Sequence, residues 1–124
     1  MAMSGNRVFV VQNQHRWNRD AERFEPKFDM TSAERFGQLV YLLSPTAAPF
    51  NPRPIIAELR EKLREYREGD HLLLVGNPAL ILAVGAIAAS YNNGRVSVLQ
   101  WSGKDQRYIN IQLDGLDTES SFTS

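Results

Sequence analysis

The sequence predicts a single α/β domain, built on a mixed sheet of about five strands with helices on both faces. Three features indicate this class: a continuous apolar run at Leu72–Val75, a helix signal directly after it, and alternation of apolar and polar residues at Arg107–Leu113. A continuous apolar run is typical of a strand buried on both faces, whereas alternation is typical of a half-buried strand. The elements are expected in the order β-β-α-α-β-α-β-β, with a βαβ unit at the centre.

The central unit lies between His71 and Trp101. Asn77 is a favoured N-cap residue, and Pro78 fits the first helical position because that position needs no amide hydrogen. Residues 79–89 carry no polar side chain, which predicts a helix buried on all sides. This run is shorter than the roughly 20 residues of a membrane span. Two buried strands joined by this helix are expected to be parallel, with a right-handed crossover.

Two strands are predicted near the N-terminus. Residues 7–12 are rich in β-branched and aromatic residues, and residues 24–30 alternate between apolar and charged residues. Pro26 favours an edge position for the second strand because proline cannot donate to a neighbouring strand. We expect the two strands to form a hairpin with a long tip.

Two amphipathic helices are predicted in the middle of the chain. A capping box opens at Thr31 and predicts a helix that continues to residue 43. The loop 44–54 contains four prolines and separates it from a second helix, in which Glu58 and Lys62 are spaced to pair. We expect these two helices on one face of the sheet and the apolar central helix on the other.

The composition narrows the class of function. The chain has 14 Lys and Arg residues and 14 Asp and Glu residues. The net charge of zero gives no general attraction to nucleic acid, but it does not argue against a local basic patch. The absence of cysteine excludes disulfides, zinc–thiolate sites and thiol catalysis.

The first residues lack the apolar region of a signal peptide, so a cytoplasmic protein without membrane association is expected. We expect residues 1–6 to be flexible, 7–113 to form the domain and 114–124 to be a frayed polar tail.

The leading candidate site consists of two stretches, 12–23 and 100–108, in which aromatic and cationic side chains are interleaved. Cations follow phosphates and aromatic faces stack on unpaired bases, so this mixture favours a binder of single-stranded nucleic acid, including single-stranded DNA. The alternative is that the aromatic residues anchor the sheet and the cations only solvate the tips, with Asp20, Glu22 and Asp105 weakening any basic patch. The candidate residues are Arg16, Trp17, Arg19, Arg23, Trp101, Lys104, Arg107 and Tyr108.

Two other candidate sites compete with these stretches. Gly76 and Asn77 stand at the end of a strand and the start of a helix, where amides attract anions such as a nucleotide, with or without catalysis. This turn lacks the glycine patterns of nucleotide-binding loops, so a plain strand-to-helix turn is the alternative. In the Pro-rich loop 44–54, Pro49 and Phe50 form a candidate anchor for a host or phage protein or for a second subunit, unless the loop lies over the core.

No catalytic signature accompanies these sites. Neither His15 nor His71 has a nucleophile at a recognisable spacing. With two histidines and no cysteine, the sequence also predicts no metal site and no cofactor. These observations favour a non-enzymatic binding protein.

Five short segments of the sequence are distinctive when taken together. They are Val10-Val11-Gln12-Asn13-Gln14, Lys27-Phe28-Asp29, Leu42-Leu43-Ser44-Pro45, Leu73-Leu74-Val75-Gly76-Asn77-Pro78 and Leu99-Gln100-Trp101. With these segments the chain resembles small proteins that are encoded by tailed bacteriophages and prophages. The resemblance spans roughly residues 7–113 and implies no activity. It implies expression in a bacterial cytoplasm and a place among phage accessory proteins, many of which handle nucleic acid or bind host factors.

Overall fold

A computed structural model describes residues 6–13, 15–26 and 31–117. The predicted flexibility of residues 1–5 and the predicted fraying of residues 118–124 lie outside these ranges. The described strands are β1 (Arg7–Gln12), β2 (His15–Asn18), β3 (Arg23–Pro26), β4 (Gln38–Leu43), β5 (His71–Leu73), β6 (Val96–Ser102) and β7 (Arg107–Leu113). The described helices are a 3₁₀ helix (Thr31–Phe36), α1 (Pro52–Lys62) and α2 (Pro78–Tyr91).

The main sheet has five strands in the order β4-β1-β5-β6-β7. The first four strands are parallel, and β7 is antiparallel to β6. Strands β2 and β3 form a separate antiparallel hairpin. The predicted fold class, an α/β domain on a mixed five-stranded sheet, is therefore confirmed.

Both α-helices lie on one face of the sheet, where Phe9, Leu59 and Val84 share a core. The 3₁₀ helix covers the other face, where Ala33 packs with Val10. The prediction that α1 and α2 lie on opposite faces is wrong. The steps from β4 to β5 and from β5 to β6 cross the sheet in the same direction, so right-handed crossovers put both helices on the same face. The step from β1 to β4 runs the opposite way, and its 3₁₀ helix accordingly lies opposite.

The central unit β5–α2–β6 has the predicted parallel strands and the predicted N-cap. The side chain of Asn77 accepts a hydrogen bond from the amide of Ala79 at 2.9 Å. The prediction that α2 is buried on all sides is wrong, because Leu82 on its outer side is 74% exposed. A helix on the surface of a sheet contacts the sheet along one stripe only, whatever its composition. The buried residues of α2 are Leu80, Val84, Ala88 and Ala89.

The predicted hairpin between residues 7–12 and 24–30 is wrong. Strand β1 pairs in parallel with β4 and β5, while residues 23–26 pair with β2. Residues 27–30 of the predicted strand lie outside the described ranges. Val8–Val11 is buried on both faces of the sheet, and such a continuous apolar run is typical of an interior parallel strand.

The helix predicted from Thr31 to residue 43 is a 3₁₀ helix followed by strand β4. Gly37 separates the two elements with a φ of +155°, and a Cβ atom at this position would lie 2.5 Å from the carbonyl oxygen of Asn6. Only glycine fits such a close approach. Residues 39–43 then form a continuous apolar run that pairs with β1, and this tertiary pairing prevails over the helical spacing.

Helix α1 begins at Pro52, one of the two predicted starts, but it ends at Lys62, whereas the apolar pattern predicts a helix that continues to Gly69 and Asp70. Glu58 and Lys62 form the expected ion pair, with the carboxylate 2.7 Å from the ammonium nitrogen. The Lys62 ammonium also donates to the carbonyl oxygen of Leu42 at 2.6 Å, so the pair connects α1 to the end of β4. Neither α1 nor α2, the α-helices of the described part, has the length and apolar character that crossing a membrane requires.

Candidate nucleic-acid interface

The carboxyl ends of β4, β1, β5 and β6 share one edge of the sheet because these strands are parallel. We call this the carboxyl edge and define it by the segments that follow the four strands, 44–51, 12–13, 74–77 and 102–106. The β2–β3 hairpin starts from this edge directly after β1, and the turn between β6 and β7 lies on it. Both aromatic–cationic stretches therefore start at the same edge.

The β6–β7 hairpin presents Trp101 and two cations at the carboxyl edge. Trp101 is 46% exposed, and the side chains of Lys104 and Arg107 are exposed. Tyr108 lies across from Trp101, with the two rings edge to face and their centroids 5.1 Å apart. The expectation that Tyr108 stacks on a base needs correction, because Tyr108 is buried in the core beside Leu99. The buried Tyr108 ring packs against the Trp101 ring and so supports it from the core side.

The β2–β3 hairpin is a compact unit with its own turn. The side-chain oxygen of Asn18 accepts hydrogen bonds from the amides of Asp20 at 3.0 Å and Ala21 at 3.1 Å. Such a side-chain acceptor is a usual device for closing a turn. Arg19 and Arg23 are exposed on either side of it. The remaining two candidate residues, Arg16 and Trp17, belong to strand β2.

Gln12 connects three segments at the carboxyl edge, and the sequence interpretation did not select it as a site residue. Its side chain is nearly inaccessible, with 2% of the residue exposed. The Nε2 group donates to the carbonyl oxygens of Ser44 at 3.1 Å, Pro45 at 3.4 Å and Ala47 at 2.7 Å. The Oε1 atom accepts from the amide of Asn77 at 2.9 Å. The only signal for this role in the sequence is that Gln12 is a polar residue directly after the apolar run Val8–Val11.

The Gly76–Asn77 turn lies at the point where the connections after β1 and β5 leave for opposite faces of the sheet. Ligands of α/β proteins usually bind in the crevice at such a point. Here the Gln12 side chain occupies the crevice and accepts a hydrogen bond from the Asn77 amide, while the Ala79 amide donates to the Asn77 side chain. A Cβ atom at Gly76 would lie 2.6 Å from the Gln12 Cβ, which explains the glycine. An anion at this turn would have to displace these hydrogen bonds.

The Pro-rich loop also belongs to the carboxyl edge. Gln12 holds this loop at Ala47, and three residues later Phe50 is 92% exposed. Pro49 beside it is half-buried, and the next cation, Arg53, is exposed. The carboxyl ends of β4 and β6 lie three strand spacings apart, or about 14 Å. The structure thus brings Phe50, which the sequence assigned to a different site, to the same edge as Trp101.

A buried polar cluster occupies the opposite edge of the sheet. His71 Nδ1 lies 2.7 Å from the hydroxyl of Ser97, and burial lowers the pKa of this histidine, while the nearby Asp70 acts in the opposite direction. The Ser97 hydroxyl donates to the side chain of Asn110 at 2.7 Å. Because the hydroxyl proton faces Asn110, His71 is the donor to Ser97 and does not activate it. The described residues contain no group of three acidic, histidine or cysteine residues able to hold a metal ion.

Comparison with known proteins places the chain in a family. A family model described as Phage Pam3 gp32-like protein matches residues 6–115, which include every described strand and helix. Comparisons with curated proteins and with solved structures gave no match. The resemblance to small phage proteins that the sequence segments indicated is therefore confirmed. This protein belongs to the Phage Pam3 gp32-like protein family.

Proposed function

We propose that this phage protein is a non-enzymatic binding protein that holds single-stranded nucleic acid along its carboxyl edge. The observation that supports the proposal is the sheet topology, since the two aromatic–cationic hairpins start from the same edge. Had they stood at opposite ends of the sheet, one strand of nucleic acid would not reach both.

Two exposed aromatic side chains supply stacking surfaces. Trp101 is 46% exposed and rests on Tyr108, and Phe50 is 92% exposed on a loop that Gln12 holds in place. Stacking of a base on such a ring contributes about 1–3 kcal/mol, with little dependence on sequence. The proposed partner is therefore a single strand whose bases are unpaired.

Cationic side chains on both hairpins supply contacts to phosphate. Asp20, Glu22 and Asp105 lie among them and reduce the local positive potential. We therefore expect modest affinity with a clear salt dependence, because each neutralised phosphate of a single strand contributes a slope of about −0.7 to log K against log salt. Contacts from four cations whose exposure the structure describes predict a slope of about −3. The four are Arg19, Arg23, Lys104 and Arg107.

The test is a fluorescence-anisotropy titration with a labelled oligothymidylate, at low and at moderate salt, beside a duplex of the same length. We expect Phe50→Ala and Trp101→Ala each to weaken binding by about 5- to 100-fold, as the loss of one stacked base implies. The control is Tyr41→Ala, which removes a 47% exposed aromatic ring from β4 outside the carboxyl edge and leaves affinity unchanged. Absence of binding even at low salt, or equal losses in all three variants, would refute the proposal.

The exposure of Phe50 also supports a second candidate, in which the Pro-rich loop anchors a protein partner. An exposed aromatic side chain on a fixed loop is a common anchor in protein interfaces. The same variants separate the two functions. If Trp101→Ala weakens oligonucleotide binding and Phe50→Ala does not, the stacking role belongs to Trp101 alone, and Phe50 stays available for a protein.

A further inference from the structure

Helix α2 exposes an apolar side to solvent. No charged residue occurs between Pro78 and Tyr91, and Leu82 projects from the outer side with 74% exposure. Ala79 and Ala86, on either side of Leu82 along this stripe, are also exposed. A helix on the surface of a protein normally carries polar residues on its outer side. This helix instead has the composition of one covered on both sides.

A groove lies directly beside this exposed stripe. It runs between α2 and the β6–β7 hairpin and encloses about 530 Å³. The exposed side chains at its rim are Leu82, Leu113 and Leu116, and the polar side chains that line it in the described part of the chain are Ser90 and Asp117. We call the stripe and this groove together the α2 surface. It combines a protruding leucine and a recess within one patch.

Gly85 opens the floor of the groove. This glycine lies in the interior of α2, and a Cβ atom placed on it would meet no other atom within 4 Å. Glycine inside a helix costs about 0.5–1 kcal/mol relative to alanine. Among the described residues, neither a turn nor a close approach accounts for this glycine. A side chain from another molecule that enters the groove would account for it.

We propose that the α2 surface binds a second copy of this chain in a twofold arrangement, with Leu82 of each copy inserted into the groove of the other. A twofold interface brings one patch against itself, so a patch with both a knob and a recess is complementary to its own copy. The exposed stripe of α2 carries no charge, Asp117 is the one charged side chain among the described residues that line the groove, and the net charge of the chain is zero.

Other occupants fit the α2 surface less well. Nucleic acid is held mainly by cationic side chains, and none of the described residues that line the groove is cationic. A small metabolite needs several polar groups to orient it, whereas two of the fourteen lining residues have polar side chains. An amphipathic segment of another protein would gain the same apolar contacts, and the test below treats that case as a negative outcome.

The size of the α2 surface sets the expected strength of the dimer. A helix of 14 residues is about 21 Å long, and the strip from its outer side to β7 is about 20 Å wide. The projected area of about 400 Å² per copy is half of the roughly 800 Å² per partner that specific interfaces usually bury, which is the size of a weak contact. We therefore expect a dimer that dissociates on dilution.

The test is sedimentation velocity of the full chain over a wide range of protein concentration. We expect the wild type to pass from monomer to dimer, and Leu82→Glu to raise the dimer Kd by about tenfold or more. Gly85→Leu fills the groove without adding a charge and is expected to act in the same direction. The matched control is Tyr41→Glu, which adds the same charge at an exposed residue of β4, outside both the α2 surface and the carboxyl edge, and leaves the dimer unchanged. Phe50→Glu tests the Pro-rich loop as the alternative interface. Because Leu82 is exposed, its replacement leaves the fold intact, which circular dichroism verifies.

Three results would overturn the proposal. The first is a wild type that stays monomeric at all concentrations, which would leave the surface to a different protein. The second is a dimer that persists in both Leu82→Glu and Gly85→Leu. The third is a dimer that Phe50→Glu dissociates and the α2 variants do not, which would place the interface at the Pro-rich loop. The first two results do not bear on binding at the carboxyl edge, because the oligonucleotide test changes other residues. The third result involves Phe50, so Trp101→Ala then carries the test of the carboxyl edge.

Discussion

Replacement of Gln12 by alanine is expected to destabilise the fold far more than the loss of one polar side chain suggests. The change removes the hydrogen bonds to the carbonyl oxygens of Ser44 and Ala47 and from the amide of Asn77, at 3.1, 2.7 and 2.9 Å. Each buried bond contributes about 1 kcal/mol net, and the groups left unpaired are partly shielded from water, so the expected loss is about 3 kcal/mol. Small domains have total stabilities of about 5–15 kcal/mol, so this is a large fraction.

The isosteric change Gln12→Glu tests the same reasoning more sharply. It keeps the shape and the acceptor for the Asn77 amide, but it turns an oxygen toward the Ala47 carbonyl where a donor stood at 2.7 Å. A buried carboxyl in this place is expected to stay protonated, so its folded pKa is raised above its unfolded pKa of about 4.3. The variant is then closest to wild type at low pH and loses stability as the pH rises through the folded pKa.

Urea and thermal unfolding, followed by circular dichroism, measure both effects. A loss of about 3 kcal/mol lowers the Tm by about 10 °C or more in a domain of this size. Gln100→Ala and Gln100→Glu are the matched controls, because Gln100 is an exposed residue of β6. If Gln12→Ala stays within about 0.5 kcal/mol of the wild type, the role assigned to Gln12 is refuted. A Gln12→Glu variant that behaves like Gln100→Glu at neutral pH would also refute it.

Three further predictions concern the opposite edge and α2. Tyr66→Phe removes a hydroxyl that accepts from the Ser97 amide at 3.0 Å and donates to the Asp70 carbonyl at 3.2 Å, so urea unfolding is expected to show a loss of about 1–3 kcal/mol. Burial lowers the pKa of His71 below its ordinary 6.5, so the unfolded chain binds the proton more readily and stability is expected to fall as the pH drops below that value. Urea midpoints at neutral and mildly acid pH measure this slope, and a slope that is unchanged in His71→Gln would contradict it. Gly85→Ala is expected to stabilise dilute protein by about 0.4–1 kcal/mol, since a methyl group there has open space; a lower Tm would show that the space is not free.

The sequence predicted the second half of the sheet well because its signals are local. The apolar run Leu72–Val75, the Asn77 cap and the alternation from Arg107 each depend on neighbours within a few residues, although β5 itself ends at Leu73. The pairing of β6 with β7 needs only a short turn between adjacent strands.

The partners of β1 were beyond the reach of local signals. Nearness in sequence favoured a hairpin with residues 24–30, whereas the true neighbours lie at 38–43 and 71–73. The continuous apolar run Val8–Val11 is the sequence signal of an interior strand, and the structure buries it on both faces. A strand in a hairpin at the edge of the sheet would not be buried in this way. Likewise, Gly37 marked the end of the 3₁₀ helix, but the 3.6-residue spacing from Ala33 to Leu43 concealed it.

The sequence indicated which residue types to consider for a site, but not how the fold arranges them. Trp101 and Lys104 were selected as candidates because aromatic and cationic residues alternate along the chain, and their role stays a prediction. The burial of Tyr108 and the place of Phe50 on the same edge depend on strand order, which one sequence does not specify. Gln12 escaped notice because its four contacts are 32 or more residues away.

The interior position of β1 has a consequence for synthesis of the protein. Val10 pairs with Leu73, so one edge of the most apolar strand stays open until the ribosome has added 63 more residues. At about 5–20 residues per second, this interval lasts about 3–13 seconds. During it, an uncharged β-prone segment is available to neighbouring nascent chains, and such segments aggregate readily. The yield of folded protein during rapid expression is therefore expected to depend on how soon β5 emerges, more than on the stability of the finished sheet.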